Sequence, residues 1–347
     1  MSTWKRQALW AVGLGAVLAA AACGGGGEGG GGGSSAPAWV KDPRRAVFEG
    51  VQDTRAFDQL IGDPAVLFED GGYKMYYGAV RIFGTPTPRI SVGLATSPDG
   101  ISWARRSQPV LSPGNFGEFD GLFAEAPAVI RRDDGTYLMF YSGNNGISYR
   151  IGLATSPDGV MWTKRGVVVD VGAGFGAWDS KSVSDASVVR VGSRYHLYYS
   201  GFSFDTNQAL GVGLATSDDG VAWTKVSVNA PIFGPAGSTD ELLRGPAGDE
   251  GSLQPFARWT GSQMELYYTW RNRATGRPPV HIALAVSSDG ISIWERRGIV
   301  LRAGPDTYDD VGVMAPAVVE VGGELTLWYM AASTVRQQNI SRARRLP

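Results

Sequence analysis

The stretch GLATSPDGISW, Gly93 to Trp103, returns as GLATSPDGVMW at Gly152 to Trp162 and as GLATSDDGVAW at Gly213 to Trp223. A worn fourth copy, ALAVSSDGISIW, ends at Trp294. Ser-Pro-Asp-Gly suits a type I turn, because Pro98 presets φ at the second position and Gly100 fits the fourth. GLATS reads as a strand entering the turn and ISW as a strand leaving it, so each copy is a β-hairpin. The turn aspartates Asp99, Asp158, Asp219 and Asp289 stand 59, 61 and 70 residues apart, the mark of a chain built from repeating units.

A second phrase precedes each hairpin. It reads DPAVLFEDGGYKMYYG from Asp63, APAVIRRDDGTYLMFYSG from Ala126 and DASVVRVGSRYHLYYSG from Asp185. It continues as QPFARWTGSQMELYYT from Gln254 and APAVVEVGGELTLWYM from Ala315. Two apolar strands flank a polar or Gly-bearing turn each time. This phrase occurs five times, and with the hairpin it makes a unit of four short strands about every 60 residues, the size of a propeller blade. The expected fold is all-β, a five-bladed β-propeller of four-stranded blades.

The fifth unit runs out of chain after its third strand, near Ile340 to Arg344, which would leave an open sheet edge. WVKDPRRAVFEG, Trp39 to Gly50, has the pattern of WTKRGVVVDVG and WERRGIVLRAG: a Trp, then bases, then an apolar run. It is expected to supply the missing outer strand and close the ring.

Upstream of this domain the chain carries Lys5 and Arg6, an apolar run from Ala8 to Ala22, and its single cysteine, Cys23. The run is too short for a comfortable membrane span, and one cysteine forms no internal disulfide. The segment resembles a bacterial lipoprotein signal; the alternative is an ordinary secretory signal in which Cys23 is incidental. The expectation is cleavage after residue 22, lipidation of Cys23 and a Gly/Ser-rich flexible tether over 23–38. The propeller then spans 39–347, in the cell envelope or outer membrane, with membrane contact only through the lipid. Without the signal the chain has 33 acidic against 30 basic residues, so nothing favours nucleic acid as a partner. A monomer is expected.

The first strand of each propeller blade lines the axis. The residues opening the five first strands, Asp63, Ala126, Asp185, Gln254 and Ala315, should therefore converge. Aromatic-Asp pairs recur upstream in four blades, Phe57-Asp58, Phe119-Asp120, Trp178-Asp179 and Tyr308-Asp309, and repetition argues for a structural role such as turn capping. What does not repeat is the better functional candidate, which singles out Asp63 and Asp185.

With Asp-Pro opening the first blade, Ala-Pro the second and an Asp the third, the chain resembles the family 43 and family 32 glycoside hydrolases. The resemblance covers Trp39 to Pro347. It implies that Asp63 is the general base or nucleophile, that Asp185 orients and tunes the acid, and that a Glu opening blade four is the acid. This chain departs from that pattern, since blade four offers Leu253 and Gln254. Glu250 is the first candidate for the acid and Glu125, two residues before Pro127, the reserve. Gln254, Trp178 and Phe123 are candidate sugar contacts. The functional expectation is an exported glycoside hydrolase acting on a poly- or oligosaccharide; the alternative is a non-catalytic propeller that binds glycan or protein. His196 and His281 are solitary and no metal-ligand spacing exists, so no metal or other cofactor is indicated; an axial calcium stays possible.

Overall fold

The computed structural model describes residues 39–345 apart from 86, 175, 204–208, 235–249, 273–279, 305–307 and 334–337; the side chains of 45, 209–210, 250–252 and 271–272 also lie outside the described part. The expected signal, Cys23 and the tether fall outside it as well.

Twenty strands are described, grouped as five blades. Blade one holds β2 (Leu60–Glu69), β3 (Gly72–Arg81), β4 (Arg89–Ser97) and β5 (Ala104–Arg105). Blade two holds β6 (Phe123–Arg131), β7 (Tyr137–Asn144), β8 (Tyr149–Ser156) and β9 (Thr163–Val169). Blade three is β10 (Ser182–Val191), β11 (Arg194–Phe202), β12 (Ala209–Ser217) and β13 (Thr224–Lys225). Blade four is β14 (Glu250–Trp259), β15 (Met264–Asn272), β16 (His281–Ser287) and β17 (Glu295–Leu301). Blade five is β18 (Gly312–Val321), β19 (Glu324–Ala332), β20 (Asn339–Arg345) and β1 (Trp39–Glu49). The innermost strands β2, β6, β10, β14 and β18 contact one another in sequence, and β18 contacts β2, which closes the ring.

The closing strand is the expected one. β1 pairs antiparallel with β20, Val40 opposite Arg344 and Phe48 opposite Ile340.

The repeated phrase works between blades. Ser97 Oγ accepts the Gly100 N–H at 2.9 Å, and Asp99 Oδ1 accepts Ile101 and Ser102 N–H at 2.8 Å. The same loop recurs at Ser156-Asp158, Ser217-Asp219 and Ser287-Asp289. Because these bonds tie down the two residues after Gly100, the strand expected at ISW begins only at Ala104.

Each turn then grips the preceding blade. Tyr76 Oη donates to the Gly159 carbonyl, Tyr198 Oη to Gly290, and Trp328 Nε1 to Gly100. The tryptophan that ends each phrase packs edge-on against that same aromatic position. The pairs are Trp103 with Trp328, Trp162 with Tyr76, Trp223 with Phe140 and Trp294 with Tyr198, at centroid distances of 5.2–6.3 Å. Trp39 completes the set on Tyr267, at 6.1 Å and 87°. The buried apolar residues accordingly fall into clusters that bridge neighbouring blades, such as Tyr76 and Val92 with Met139 and Tyr141.

The outer strands are unequal for a local reason. In blades two and four a glycine with positive φ, Gly166 or Gly298, lets the strand bulge and continue. Blades one and three have Ser107 and Ser227 at that place instead, and their outer strands are two residues each.

Candidate functional site

Five residues in the left-handed region mark one level of the axis: Asp63 (φ 46°), Ala126 (47°), Asp185 (52°), Gln254 (51°) and Ala315 (49°). None is glycine, and each sits at a bulge in its blade's innermost strand. Strained backbone of this kind re-aims side chains and persists only where the surroundings enforce it. All five line a single axial channel together with Pro64, Pro127 and Pro255.

Asp63 and Asp185 therefore meet as the sequence implied. Their remaining exposed surface faces the channel, and protein encloses both carboxyl groups. Burial, then the charge of Asp185, push the Asp63 carboxyl up to about 7. Burial also raises Asp185, against bonds from Ser184 and Ser200 that favour its charged form. Gln254 reaches across the axis and donates from Nε2 to Asp63 Oδ1 at 3.2 Å.

Glu125 is not among the residues that line the channel, but its carboxyl feels the charges of Asp63 and Asp185. It is 5% exposed, on β6 opposite Ser142. Burial pushes its carboxyl well above the ordinary carboxylate range, with the charges of Asp63 and Asp185 adding to the rise and a hydrogen bond with Tyr149 opposing it. Its Oε2 is buried without a hydrogen-bond partner among the described residues. Burial raises all three carboxyl groups, and the charges of Asp63 and Asp185 oppose a third charge on Glu125, which favours a protonated Glu125 beside them. The arrangement holds a proton donor beside a carboxylate.

The other expected site residues fall elsewhere. Glu250 begins β14, its backbone opposite Asn272, and its side chain lies outside the described part. Trp178, expected as a sugar contact, is instead a core residue. It is buried, stacks on Tyr199 at 5.8 Å and donates Nε1–H to the Ser227 carbonyl at 2.8 Å. Phe123 is half-buried against Leu60, Val80 and Ile90 at the junction of blades one and two.

The repeated aspartates are structural and act mainly as clasps; Asp309 also caps its loop, accepting the Gly304 N–H on Oδ1 at 3.1 Å. Asp58 accepts Tyr77 Oη and Arg105; Asp120 accepts Tyr141 Oη and Lys164; Asp179 accepts Tyr199 Oη and Lys225. The base in each comes from the stretch after the phrase tryptophan, and in blade five Lys41 of β1 plays that part at 2.6 Å from Asp309.

Tyr149 was not singled out from the sequence. It stands where blades one, three and four have Ile90, Leu210 and Val280, so the rule that selected Asp63 and Asp185, non-repetition, would have found it. Among the described residues no group of three or more His, Cys, Asp or Glu could hold a metal ion.

Residues 63–232, which run from the first bulge to the end of blade three, match a glycoside hydrolase family model described as beta-1,4-mannooligosaccharide phosphorylase. An uncharacterized protein of Mycobacterium tuberculosis, MT1551, is 31% identical over 159 residues, 45% of this chain and 50% of that protein. The 1,2-beta-oligomannan phosphorylase of a Thermoanaerobacter species is 35% identical over 118 residues, 32% of this chain and 38% of its own. The chain thus spans half or less of the length of these curated relatives. One solved structure is described as among the family 130 glycoside hydrolases that target beta-1,2 mannosidic linkages in Candida mannan. It superposes with a TM-score of 0.68 at 19% identity, over 90% of this chain and 96% of that one. A thermostable family-43 glycoside hydrolase gives 0.62 at 17% identity, over 84% and 91%. The chain has the propeller fold of these enzymes, and the resemblance to propeller glycoside hydrolases read from its blade-opening residues stands.

Proposed function

We propose that the axial channel cleaves O-glycosidic bonds in mannose-containing oligosaccharides by acid–base catalysis. The observation that carries this reading is that Asp63 and Asp185 face one axial channel while the buried Glu125 lies near enough for both charges to help raise its carboxyl, which favours its protonated form; burial and then Asp185 push Asp63 up to about 7. Glu125 gives its proton to the bridging oxygen as the C–O bond breaks and that oxygen takes the electron pair. Asp63, as carboxylate, takes the proton of the attacking water or hydrogen phosphate. Asp185 tunes the pair by its charge. The acid then comes from blade two, and Gln254 fills the place in blade four where the related enzymes keep theirs. The sugar class follows the family description and the oligomannan phosphorylase.

The test is incubation with β-1,2- and β-1,4-linked manno-oligosaccharides, and with arabinan, each with and without inorganic phosphate. Turnover of a mannoside is expected, with Glu125→Gln and Asp63→Asn each slowing it by about 10²–10⁴-fold while folding stays intact. Turnover that survives both substitutions sinks the assignment. Binding without turnover, abolished by Asp63→Asn, would instead identify a non-catalytic glycan-binding propeller.

The leader supports a location. The lone cysteine ends an apolar stretch behind two bases and precedes a Gly-rich run, so the protein is read as an exported lipoprotein anchored through Cys23 and tethered over 23–38. Cys23→Ala should move the protein from the membrane fraction to the soluble fraction of the cell envelope. Retention in the membrane would place the anchor elsewhere.

A further inference from the structure

The position after the second-strand tyrosine differs among the blades: Gly78, Ser142, Ser200, Thr269 and Met330. Its three hydroxyls share one arrangement. Ser142 Oγ accepts the Asp185 N–H at 2.9 Å, Ser200 Oγ the Gln254 N–H at 3.0 Å, and Thr269 Oγ1 the Ala315 N–H at 3.1 Å. In each case the amide belongs to the bulge of the next blade. A backbone N–H can only donate, so it takes a hydroxyl lone pair and directs the hydroxyl proton elsewhere.

In blade four that direction has a consequence. Thr269 Oγ1 donates to Gln254 Oε1 at 2.9 Å. The carboxamide is thereby oriented, with Oε1 toward Thr269 and Nε2 toward Asp63 Oδ1. Nε2 can only donate, so Oδ1 must accept. The other oxygen, Oδ2, lies over Gly78, where an added Cβ would come within 3.3 Å of it. Blade three repeats the scheme with one link fewer, since Ser200 also hydrogen-bonds Asp185.

We propose that Thr269 and Gln254 are positioning residues for Asp63. They form a hydrogen-bond wire from the Ala315 amide, through Thr269 Oγ1 and the Gln254 carboxamide, to Asp63 Oδ1. The wire confines any proton on Asp63 to Oδ2 and favours the carboxylate. The proposal deepens the reading of Asp63 as the catalytic carboxylate, and rests on it for its meaning in turnover. The groups that face Asp63 and titrate are Asp185 from β10, Glu125 from β6 and Tyr149 from β8. β14, β18 and β3 contribute the uncharged Gln254, Ala315 and Gly78.

The experiment titrates the Asp63 carboxyl carbon by NMR in the full chain labelled with ¹³C-aspartate, the resonance being assigned by its loss in Asp63→Asn. Thr269→Val releases the carboxamide, which can then turn Oε1 to a protonated Asp63; the midpoint should rise by about one pH unit, a tenfold change in the proton's equilibrium. Gln254→Leu should raise it similarly, and serves alone if Thr269→Val does not fold. Thr269→Ser keeps the hydroxyl and should leave the midpoint as in the wild type. Wild-type midpoints in Thr269→Val and Gln254→Leu overturn the wire, and so does a Thr269→Ser shift equal to that of Thr269→Val. Because the titration needs no substrate, it judges the wire even if no glycoside is turned over. If mannosides are cleaved, the acidic limb of kcat against pH should move with the midpoint in each variant.

Discussion

The raised carboxyl group of Asp63 ties the site to the stability of the fold. The Asp63 carboxyl titrates at about 7 in the folded chain against an ordinary 3.8. Between those values the folded chain binds more protons than the unfolded one, so stability falls as pH rises through this window and levels off above it. The loss attributable to Asp63 is on the order of 4 kcal/mol between pH 4 and pH 8. Asp63→Asn removes the ionising group, and should be markedly more stable than the wild type at pH 8 but similar at pH 4. Urea unfolding at both pH values checks this, and equal stability at pH 8 would mean that water reaches the carboxyl freely. At this scale the sequence was legible where it broke its own repeat: Asp63 and Asp185 stand where two other blades have Ala. Glu125 was harder to rank. A bulge interrupts the two-residue alternation of a strand, so counting from Pro127 does not say which way a residue two places earlier faces. Tyr149 had the same signal of non-repetition, but on the third strand, where nothing else points to the axis.

The repeated hairpin is the element that converts sequence repetition into architecture. Its glycine is required twice over. Gly159 has φ 72°, and a Cβ there would stand 2.6 Å from Tyr76 Oη, the group that donates to the Gly159 carbonyl. Gly159→Ala should therefore cost about 1–3 kcal/mol from backbone strain alone, with a further loss from the displaced tyrosine. Thermal unfolding of Gly159→Ala, Tyr76→Phe and the double variant separates the two. Strain alone predicts additive losses; a shared contact predicts that the double variant loses less than the sum. The hairpins themselves were plain from turn chemistry and alternation, but the length of the outer strands was not. Whether an outer strand continues past Ser107 or Ser227 depends on the neighbouring strand, which local sequence does not contain. The clasps were legible only in halves. The recurring aspartates and the recurring bases were each visible, but they lie 44 to 47 residues apart in the first three blades, and only the blade geometry brings them together.

At the scale of the molecule, ring closure was legible because β1 repeats a pattern whose other copies end at known places in their blades. Three independent features of the closure match the other blades: the backbone ladder from β1 to β20, the Trp39 ring on Tyr267, and Lys41 on the buried Asp309. If closure stabilises the whole ring, then losing it should be felt well beyond blade five, since every inter-blade cluster depends on its neighbours being held at the right angle. Trp39→Ala should cost about 3–5 kcal/mol, as for other buried tryptophans. Lys41→Met should cost a similar amount, about 3–5 kcal/mol, because it strips the cation from a carboxylate with no exposure. Removing Trp39 to Gly50 altogether goes further, leaving β20 as an unpaired edge that can recruit another chain. A chain that begins at Val51 should melt well below the full chain and self-associate. Adding the peptide Trp39 to Gly50 should restore both the melting temperature and the monomer by entering as the missing strand, and the same peptide with Trp39→Ala and Lys41→Met should not. Calorimetry and light scattering read the two effects separately. A shortened chain that melts like the full one and stays monomeric would show that blade five holds the ring with three strands, and that the N-terminal segment merely decorates it.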